Sequence, residues 1–470
     1  MQSNLLTNNH SKPLPPPPSL LNTLGPSFIL LGLALGSGEL ILWPYLAANY
    51  GLGLLWGGLL GIFFQFVLNT EVMRYSLIWG ESVFVGFRKI SRYLPAWFVI
   101  STFIPWALPG FSSATSQIIG TLIGYKSISV IAILLLLTTG IILSVGKTLY
   151  STMEHIQKSI IMIGLPFIFI LTIFLTQRAD WAEYVFGLFG RGDGWWFFPQ
   201  GVSIAAFLGA FAYSGAGGNL NLAQSYYVKE KGLGMGKYSE KITSLFSSGV
   251  KSFSIEGEHF SNTISNKKIW KKLWKTVNTE HALIFFLLGF VTISVLVVLA
   301  KALVYGQAVQ EGISFLYVEA SMISKYTIPF FGTSFLLIAA LMLFSTQIGV
   351  LESSSRIISE NVLLMFYKKG KKFNLSLAFY IALWGQILIG IFILLLGFQE
   401  PLFLLTLAAV LNAASMMVAF PLIYLLNRRH VLKDYHPSIW RVIIIFTAFI
   451  FFAVFLIILM WGALNSFLIK

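Results

Sequence analysis

The chain has 470 residues, of which 56% are hydrophobic, 16% are aromatic and only 11% are charged, and its mean hydropathy is +0.79. Soluble proteins of ordinary fold do not have this composition, so it predicts an all-α membrane protein. Without cysteine there are no disulfides or thiolate metal sites, and the six histidines form no HxxxH or HExxH pair. Although the net charge is +14, the basic residues lie in short loops between apolar segments, so no nucleic acid partner is expected.

The N-terminal 23 residues, with Pro13 and the Pro15–Pro18 run, predict a disordered cytoplasmic tail. They do not resemble a signal peptide, because the apolar segment that follows is too long and contains an acid. Residues 24–470 are expected to form a single transmembrane domain. A window of about 19 residues predicts eleven transmembrane helices. These spans cover residues 24–48, 52–70, 96–124, 128–145, 156–177, 199–226, 282–304, 328–352, 376–397, 401–427 and 441–466.

The positive charges divide unequally between the two sides of this arrangement. The side that holds the N-terminus carries 26 of the 32 Lys and Arg residues, and we call it the cationic side. Cytoplasmic loops are enriched in Lys and Arg, so the N-terminus is expected in the cytoplasm and the C-terminus outside the cell. The sequence thus predicts a multi-pass protein of the plasma membrane.

Two segments outside the spans have distinctive patterns. Residues 229–281 are expected to form a long cytoplasmic loop, which ends in the motif KKIWKKLWK at 267–275. This motif is typical of a helix that lies on the membrane surface, but it equally fits a cytoplasmic extension of span seven. On the opposite side, residues 311–326 look amphipathic and are expected to lie across the external mouth.

Span one contains the run ALGSGELILWP at residues 34–44, with Gly36, Ser37 and Gly38 directly before Glu39. Gly-Ser-Gly is a poor helix former, and Pro44 follows soon after. A carboxylate at membrane depth is unfavourable unless it faces the protein interior or a wet cavity. Span one is therefore predicted to be a broken helix with an acid at the break.

Span six contains the run GAFAYSGAGGNLNLAQS at residues 209–225, which has glycines at 215, 217 and 218. Such a run does not make a sturdy helix in lipid, although the glycines could instead serve as packing points for neighbouring helices. Spans one and six stand five spans apart. This is the pattern of a five-plus-five inverted repeat with a substrate site between two broken helices. The predicted site consists of Gly36, Ser37, Gly38, Glu39, Ala212, Tyr213, Ser214 and Asn219.

These features resemble the Nramp family of metal-ion transporters. The resemblance rests on the Gly-Pro at 25–26, the break eleven residues later, the run AANYGLGLLW at 47–56 and the eleven-span layout. The diagnostic motifs differ, however. The Asp-Pro-Gly-Asn of the family falls on Gly36 to Glu39, and its Met-Pro-His falls on Ala216, Gly217 and Gly218. Where the family places two acids in span three, this chain has Ser112, Ser113, Thr115, Ser116 and Gln117.

A second resemblance leads to the same fold with a different substrate. The runs GSGE…WP and AFAYSG are similar to the first and sixth spans of amino-acid transporters of the APC superfamily. In those proteins a Gly-Ser-Gly break presents backbone N–H groups to a substrate carboxylate. Both families have the LeuT-type fold, so both resemblances imply that fold. Span ten lines the site in this fold, so the resemblance also adds Asn412 to the predicted substrate-binding residues.

The chemistry of the predicted site favours a cation. The site offers one carboxylate, backbone carbonyls and neutral side-chain oxygens but no thioether, and such a set suits a hard cation such as Mg²⁺ or Mn²⁺. A substrate carboxylate would be repelled by Glu39. We expect a secondary transporter, not an enzyme, that moves a divalent cation by alternating access around Glu39. The expected metal ligands are Glu39, Ser37, Ser214 and Asn219.

The expected partners are a small ion or small-molecule substrate and the lipid bilayer, and no resident cofactor is expected. Two alternatives remain at this point. The chain could be a symporter of amino acids or other small organic solutes, or a sensor that does not transport.

Overall fold

The computed structural model describes residues 12–145, 149–239, 256–307, 312–367 and 374–468. Its elements in these ranges are α-helices with short 3₁₀ and π segments. The α-helices are Leu20–Thr23, Pro26–Ala34, Trp43–Tyr50, Leu55–Trp79, Val83–Ile90, Leu94–Trp106, Gly110–Ile123, Ile128–Val145, Leu149–Leu175, Arg178–Gly187, Ile204–Ala212, Gln224–Lys231, Ile264–His281, Gly289–Val304, Ser314–Tyr326, Pro329–Met365, Leu375–Leu395, Pro401–His430 and Ile439–Leu468. The π segments are Leu35–Leu42 and Ala282–Leu288, and the 3₁₀ segments are Leu52–Leu54, Gly218–Ala223, Gly234–Tyr238 and Lys433–Tyr435.

The all-α prediction is confirmed, and the number of crossings agrees with it. In the described ranges, ten helices are long and apolar enough to cross a bilayer. Span six is too short in each half to be counted among them, because irregular residues and a 3₁₀ turn separate Ile204–Ala212 from Gln224–Lys231. These ten spans and the interrupted span six together account for the eleven predicted crossings.

Several spans extend beyond their predicted ends on the cationic side. Span two was expected to stop at residue 70, yet its helix continues to Trp79. The charged residues that seemed to end it lie inside the bundle, where Arg74 Nε donates to Glu71 Oε2 over 2.7 Å. Span eight likewise continues to Met365. Charges that neutralise each other within a helix bundle do not mark the membrane surface.

Span one occupies the centre of the molecule. In its most apolar stretch 94% of the residues are buried, compared with 28% in span eleven. Span one packs against spans five, six, seven and eight, whereas span eleven packs on the outside against span ten. Proline at the first helical position starts spans one, eight and ten, where its missing N–H leaves no partner unsatisfied.

The helix that carries the KKIWKKLWK motif is an extension of span seven. Ile264–His281 continues without interruption through the π segment Ala282–Leu288 into Gly289–Val304. The apolar face of the extension, with Trp270 and Leu273, is buried against protein. The extension therefore fits the second of the two interpretations of the motif. On the opposite side, Ser314–Tyr326 buries its apolar face against spans seven and eight.

Candidate functional site

The interruption of span one takes the form of a π helix. Residues 35–42 keep a helical path but widen it, and π segments of this kind are frequent at functional sites. The Gly36 N–H donates to Thr346 Oγ1 of span eight over 3.0 Å, and the Thr346 hydroxyl donates to the Gly32 carbonyl over 2.8 Å. A side chain of a neighbouring span thus bridges backbone groups on both sides of the widened turn.

The interruption of span six is an unwound turn that Gln65 of span two holds in place. Gln65 Nε2 donates to the Ala212 carbonyl over 3.1 Å. Its Oε1 accepts from the Gly217 N–H over 3.2 Å and from Asn221 Nδ2 over 3.1 Å. Gly217 and Gly218 have φ angles of 75° and 54°, which lie in the left-handed region that glycine adopts without strain. One amide side chain therefore contacts both ends of the unwound turn.

The two interruptions are in direct contact. The Gly38 backbone packs so closely on the Tyr213 carbonyl that a Cβ at residue 38 would collide with it. Near this contact, Trp43 Nε1 donates to Ser214 Oγ over 3.0 Å, and the Ser214 hydroxyl donates to the Ala210 carbonyl over 3.1 Å. Glycine is thus required at position 38, and the Ser214 hydroxyl is already engaged on two sides.

Glu39 lies on the side of span one that faces span seven. Its Oε1 is 3.5 Å from the position that a Cβ on Gly289 would take, a position that Leu31 and Ile62 also border. Glu39 is fully buried, and neither carboxylate oxygen has a hydrogen-bond partner among the described residues. A buried charge without a partner is strongly unfavourable, so this carboxylate needs a proton, a cation or water.

Two further amides lie near the span-six interruption: Asn219 faces span three, and Asn412 projects from span ten toward span six. Asn219 Nδ2 donates to Ser101 Oγ and Thr102 Oγ1, each over 2.9 Å. Asn412 Nδ2 donates to Tyr213 Oη over 2.9 Å, and the Tyr213 ring stacks on Trp106 with 5.5 Å between ring centres. The carbonyl oxygens of both amides are buried without a hydrogen-bond partner in the described residues. They are therefore free to accept a donor or to bind a cation.

A small cavity of about 20 Å³ is lined by Trp106, whose ring stacks on Tyr213, and by Gln347 and Gln386. This volume suffices for one water molecule, which needs a cavity of about 10–15 Å³. Trp106 Nε1, Gln347 Oε1 and Gln386 Nε2 are buried without partners among the described residues. The cavity therefore combines enough room with polar groups suited to holding water.

The structure thus places the predicted site residues in different surroundings. Gly38, Tyr213 and Ser214 meet where the interruptions touch. Glu39 faces span seven, Asn219 faces span three, and Asn412 of span ten contacts Tyr213. The side chain of Ser37 lies outside the part of the chain that the structure describes. No cluster of three or more His, Cys, Asp or Glu side chains occurs among the described residues. A cation site here must therefore use few charges and several neutral oxygens.

The sequence alone did not indicate the role of several residues around the site. Gln65 is a single polar residue in the apolar span two, and Ser101, Thr102 and Thr346 gave no signal, because serine and threonine in apolar helices usually bond to their own backbone. The only usable hint was the polarity of Gln65 within an apolar span.

An ion-pair network lies between the site and the cationic side. Arg356 of span eight pairs with Glu230, at the end of span six, and with Glu352. The Tyr227 hydroxyl also donates to Glu352 Oε2 over 2.9 Å. All of these groups are buried. The network ties the second half of span six to span eight, so any opening toward the cationic side that separates these helices must break it.

A second buried cluster joins span one to span seven on the cationic side. Ser27 Oγ donates to Glu280 Oε2 over 2.6 Å and lies 2.7 Å from His281 Nδ1. The Ser27 hydroxyl thus connects the carboxylate to the ring, and His281 Nε2 is buried without a partner among the described residues. The His281 ring stacks on Phe285, which also borders the span-six interruption at Gly215.

The family model described as natural resistance-associated macrophage protein-like, Nramp, matches residues 46–462. The chain belongs to the Nramp family. Nramp proteins are membrane transporters rather than enzymes, so this chain is a multi-pass integral membrane protein of a transporter family. The match begins after Glu39, so the span-one interruption lies outside the matched residues. No curated protein sequence matches the chain.

Solved structures agree with the Nramp assignment. A manganese transporter from Eremococcus coleocola, solved as a histidine-to-alanine variant, aligns with a TM-score of 0.69 and 13% identity over 96% of this chain and 88% of that one. A nucleobase-cation-symport-1 family transporter in a closed conformation with bromovinylhydantoin bound aligns with a TM-score of 0.50 and 13% identity, over 97% and 96%. At such low identity these likenesses show the fold, which is the LeuT type.

The importance of Gln65 can be tested by replacement. In the Gln65→Leu variant, the Ala212 carbonyl, the Gly217 N–H and the Asn221 amide lose their common partner. Each buried group left unsatisfied costs about 1–3 kcal/mol, so we expect a clear drop in the thermal unfolding midpoint of this Nramp protein in lipid nanodiscs. The control is Gln117→Leu, since no side-chain hydrogen bond of Gln117 occurs in the described structure. Equal effects of the two replacements would contradict the assigned role.

Proposed function

We propose that this Nramp-family protein transports a divalent cation, Mg²⁺ or Mn²⁺, by alternating access around Glu39. The observation that supports this most is the Glu39 carboxylate, which is fully buried at the interruption of span one with neither oxygen hydrogen-bonded. A second support is the fold shared with a transporter described as a manganese transporter. We further propose that the N-terminus is cytoplasmic, the C-terminus external and the membrane the plasma membrane.

The proposed ligands are the Glu39 carboxylate and neutral oxygens near the contact between the interruptions. The amide oxygens of Asn219 and Asn412 have no partner in the described residues, whereas the Ser214 hydroxyl has two. One carboxylate leaves a divalent cation with one net positive charge. Such a cation keeps several waters, as Mg²⁺ does in most protein sites. A hydrated cation also bridges a carboxylate and amides that lie on different sides of the Gly38–Tyr213 contact.

The proposed cycle uses the buried clusters on the cationic side as a gate. With Arg356 paired to Glu230 and Glu352, and with Ser27 bonded to Glu280, spans one and six are tied to spans seven and eight. Release toward the cytoplasm would require both connections to break. Hydration of the separated charges would offset part of the lost pairing energy, because ions leave a low-dielectric interior for water.

Removal of the charge at Glu39 tests the binding residue. Glu39→Gln preserves shape but removes the only carboxylate at the interruptions, so we expect the affinity for Mg²⁺ and Mn²⁺ to fall by at least about tenfold and uptake into proteoliposomes to stop. Calorimetry measures the first quantity and a metal-sensitive dye the second. The matched control is Glu319→Gln, another buried acid but on the Ser314–Tyr326 helix. Unchanged affinity in Glu39→Gln would exclude Glu39 as a ligand.

The same uptake assay distinguishes this function from its alternatives. Amino acids replace the metal as substrate in a parallel series, with and without a Na⁺ gradient. Uptake of an amino acid without uptake of a divalent cation would identify an organic-solute symporter. Metal binding without any uptake would identify a sensor.

Selectivity provides the next prediction. Ala216 aligns with the Met of the family pattern, and soft thioether ligands favour Cd²⁺ over hard cations. We expect Cd²⁺ to compete with Mn²⁺ no more strongly than Mg²⁺ does. In the Ala216→Met variant we expect competition by Cd²⁺ to become about tenfold stronger. Ala216→Leu has nearly the same volume without sulfur, so it separates ligation from packing. If Cd²⁺ dominates in the unaltered protein, the proposed hard site is wrong.

Coupling to protons is predicted to be absent. Each 100 mV, inside negative, adds roughly 4.6 kcal/mol of inward drive on a divalent cation, so no coupled proton is required. A pH dye inside proteoliposomes should therefore report no acidification during metal uptake. Acidification that depends on metal would contradict this prediction. In that event Glu39→Gln and His281→Gln would show which group carries the proton, because both side chains are fully buried and able to bind one.

A further inference from the structure

An open groove lies on the cationic side, away from the proposed transport site. It lies between the extension of span seven, the end of span two and the segment that leads into span eleven, and its volume is about 530 Å³. We call it the Trp274 groove. Its principal lining residues are Arg74, Trp274, Lys275, His436, Trp440 and Arg441.

The groove has more positive than negative charge close to its wall. Both guanidinium groups lie over the Trp274 ring, Arg74 at 4.1 Å and Arg441 at 5.2 Å from the ring centre. Both also pair with a single carboxylate, Glu71, over 2.7 and 3.2 Å. The two arginines are only 4% and 6% exposed. One net positive charge is thus held in a poorly hydrated place, where an anion would stabilise it.

These arginines still have hydrogen-bond donors to offer. A guanidinium group has five N–H donors. Arg74 uses three, toward Glu71 twice and the Tyr435 carbonyl once. Arg441 also makes three bonds, to Thr70, Glu71 and Asn278. Two N–H groups of each arginine (five minus three) therefore have no partner among the described residues.

The surrounding side chains increase the positive potential. Lys275 lines the groove, is exposed and has no carboxylate within 4.0 Å in the described chain. Asp434, the acid on the groove wall, is already paired with Lys267 over 2.6 Å. Burial lowers the pKa of His436, and the charges of Arg428 and Arg74 lower it further. At neutral pH this histidine is therefore uncharged, so Arg74, Arg441 and Lys275 carry the positive charge of the groove, which Glu71 neutralises only in part.

The position of Trp440 indicates the depth of the groove. Trp440 lies in the first turn of span eleven and is 45% exposed. Tryptophan concentrates at the boundary between headgroups and acyl chains. Below it along span eleven, Ile443 and Phe446 are exposed apolar residues that face outward. The groove thus opens at headgroup level, directly above a surface suited to acyl chains.

We propose that the Trp274 groove binds the phosphate headgroup of an anionic phospholipid. The phosphate oxygens accept from the free N–H groups of Arg74 and Arg441 and from Lys275 Nζ. The acyl chains lie along Ile443 and Phe446. Basic pockets between transmembrane helices on the cytoplasmic side are known to suit such lipids. This site is independent of Glu39 and of the transported substrate.

The test uses the full-length protein in phosphatidylcholine nanodiscs, titrated with short-chain phosphatidylglycerol and followed by native mass spectrometry. Lys275→Glu reverses a charge inside the groove, and Lys272→Glu makes the same change on the same helix outside it. Lys275→Glu changes the local charge by two units, and each unit is worth about 1 kcal/mol of lipid binding. Since 1.4 kcal/mol corresponds to about tenfold in affinity, we expect Lys275→Glu to weaken lipid binding roughly thirtyfold. Lys272→Glu should weaken it several-fold less.

Each other outcome would overturn the proposal. Equal losses in the two variants would indicate diffuse attraction to the lysine-rich helix. Equal binding of phosphatidylglycerol and phosphatidylcholine would show that the negative charge of the headgroup does not determine binding. Inorganic phosphate that binds as tightly as the lipid, and displaces it, would identify a site for free phosphate. Since both variants change exposed lysines, neither is expected to impair folding.

Discussion

The structure depends on how two interrupted helices satisfy the hydrogen bonds of their backbone groups inside the helix bundle. At membrane depth an unpaired N–H or carbonyl group costs several kcal/mol, so irregular backbone persists only where protein supplies partners. Here Gln65 bridges the two ends of the unwound turn in span six, and Thr346 bridges the π segment of span one. Because these partners come from spans two and eight, the interruptions also determine how the surrounding helices pack. The close contact of Gly38 with the Tyr213 carbonyl follows from the same arrangement.

Much of this architecture could be predicted from sequence, because hydropathy and glycine placement are local properties. The spans, their number and the positions of both interruptions are of this kind. The ends of spans two and eight were not predictable, since Glu71 and Glu352 signal a boundary until their arginine partners are known. The form of the span-one interruption also could not be predicted, because a π segment and an unwound turn both favour small residues. Its partner Thr346 is 310 positions away.

The candidate site was predictable in its residue types but not in its geometry. In a helix, consecutive side chains point in different directions, so Gly38 facing Tyr213 turns Glu39 away, toward Gly289 of span seven. Sequence reasoning treated the whole run as facing span six. The Ser214 hydroxyl was expected to be free, but Trp43 from one turn along span one uses it. These differences depend on how each helix is rotated about its own axis. The spacing of residues along an irregular helix does not specify this rotation.

The treatment of buried acids shows why Glu39 is the centre of the functional argument. Glu71 is shared by two arginines, and Glu230 and Glu352 share Arg356. These pairings remove the main cost of burying charge and make the acids structural. Glu39 alone, among the described residues, has both carboxylate oxygens buried without a hydrogen-bond partner. The described residues place neither a hydrogen-bond partner nor a basic side chain beside Glu39, which leaves a site at which a cation from solution, or a proton, supplies the missing charge. Transport requires that the cation bind reversibly to Glu39, and a permanent arginine partner would prevent this binding.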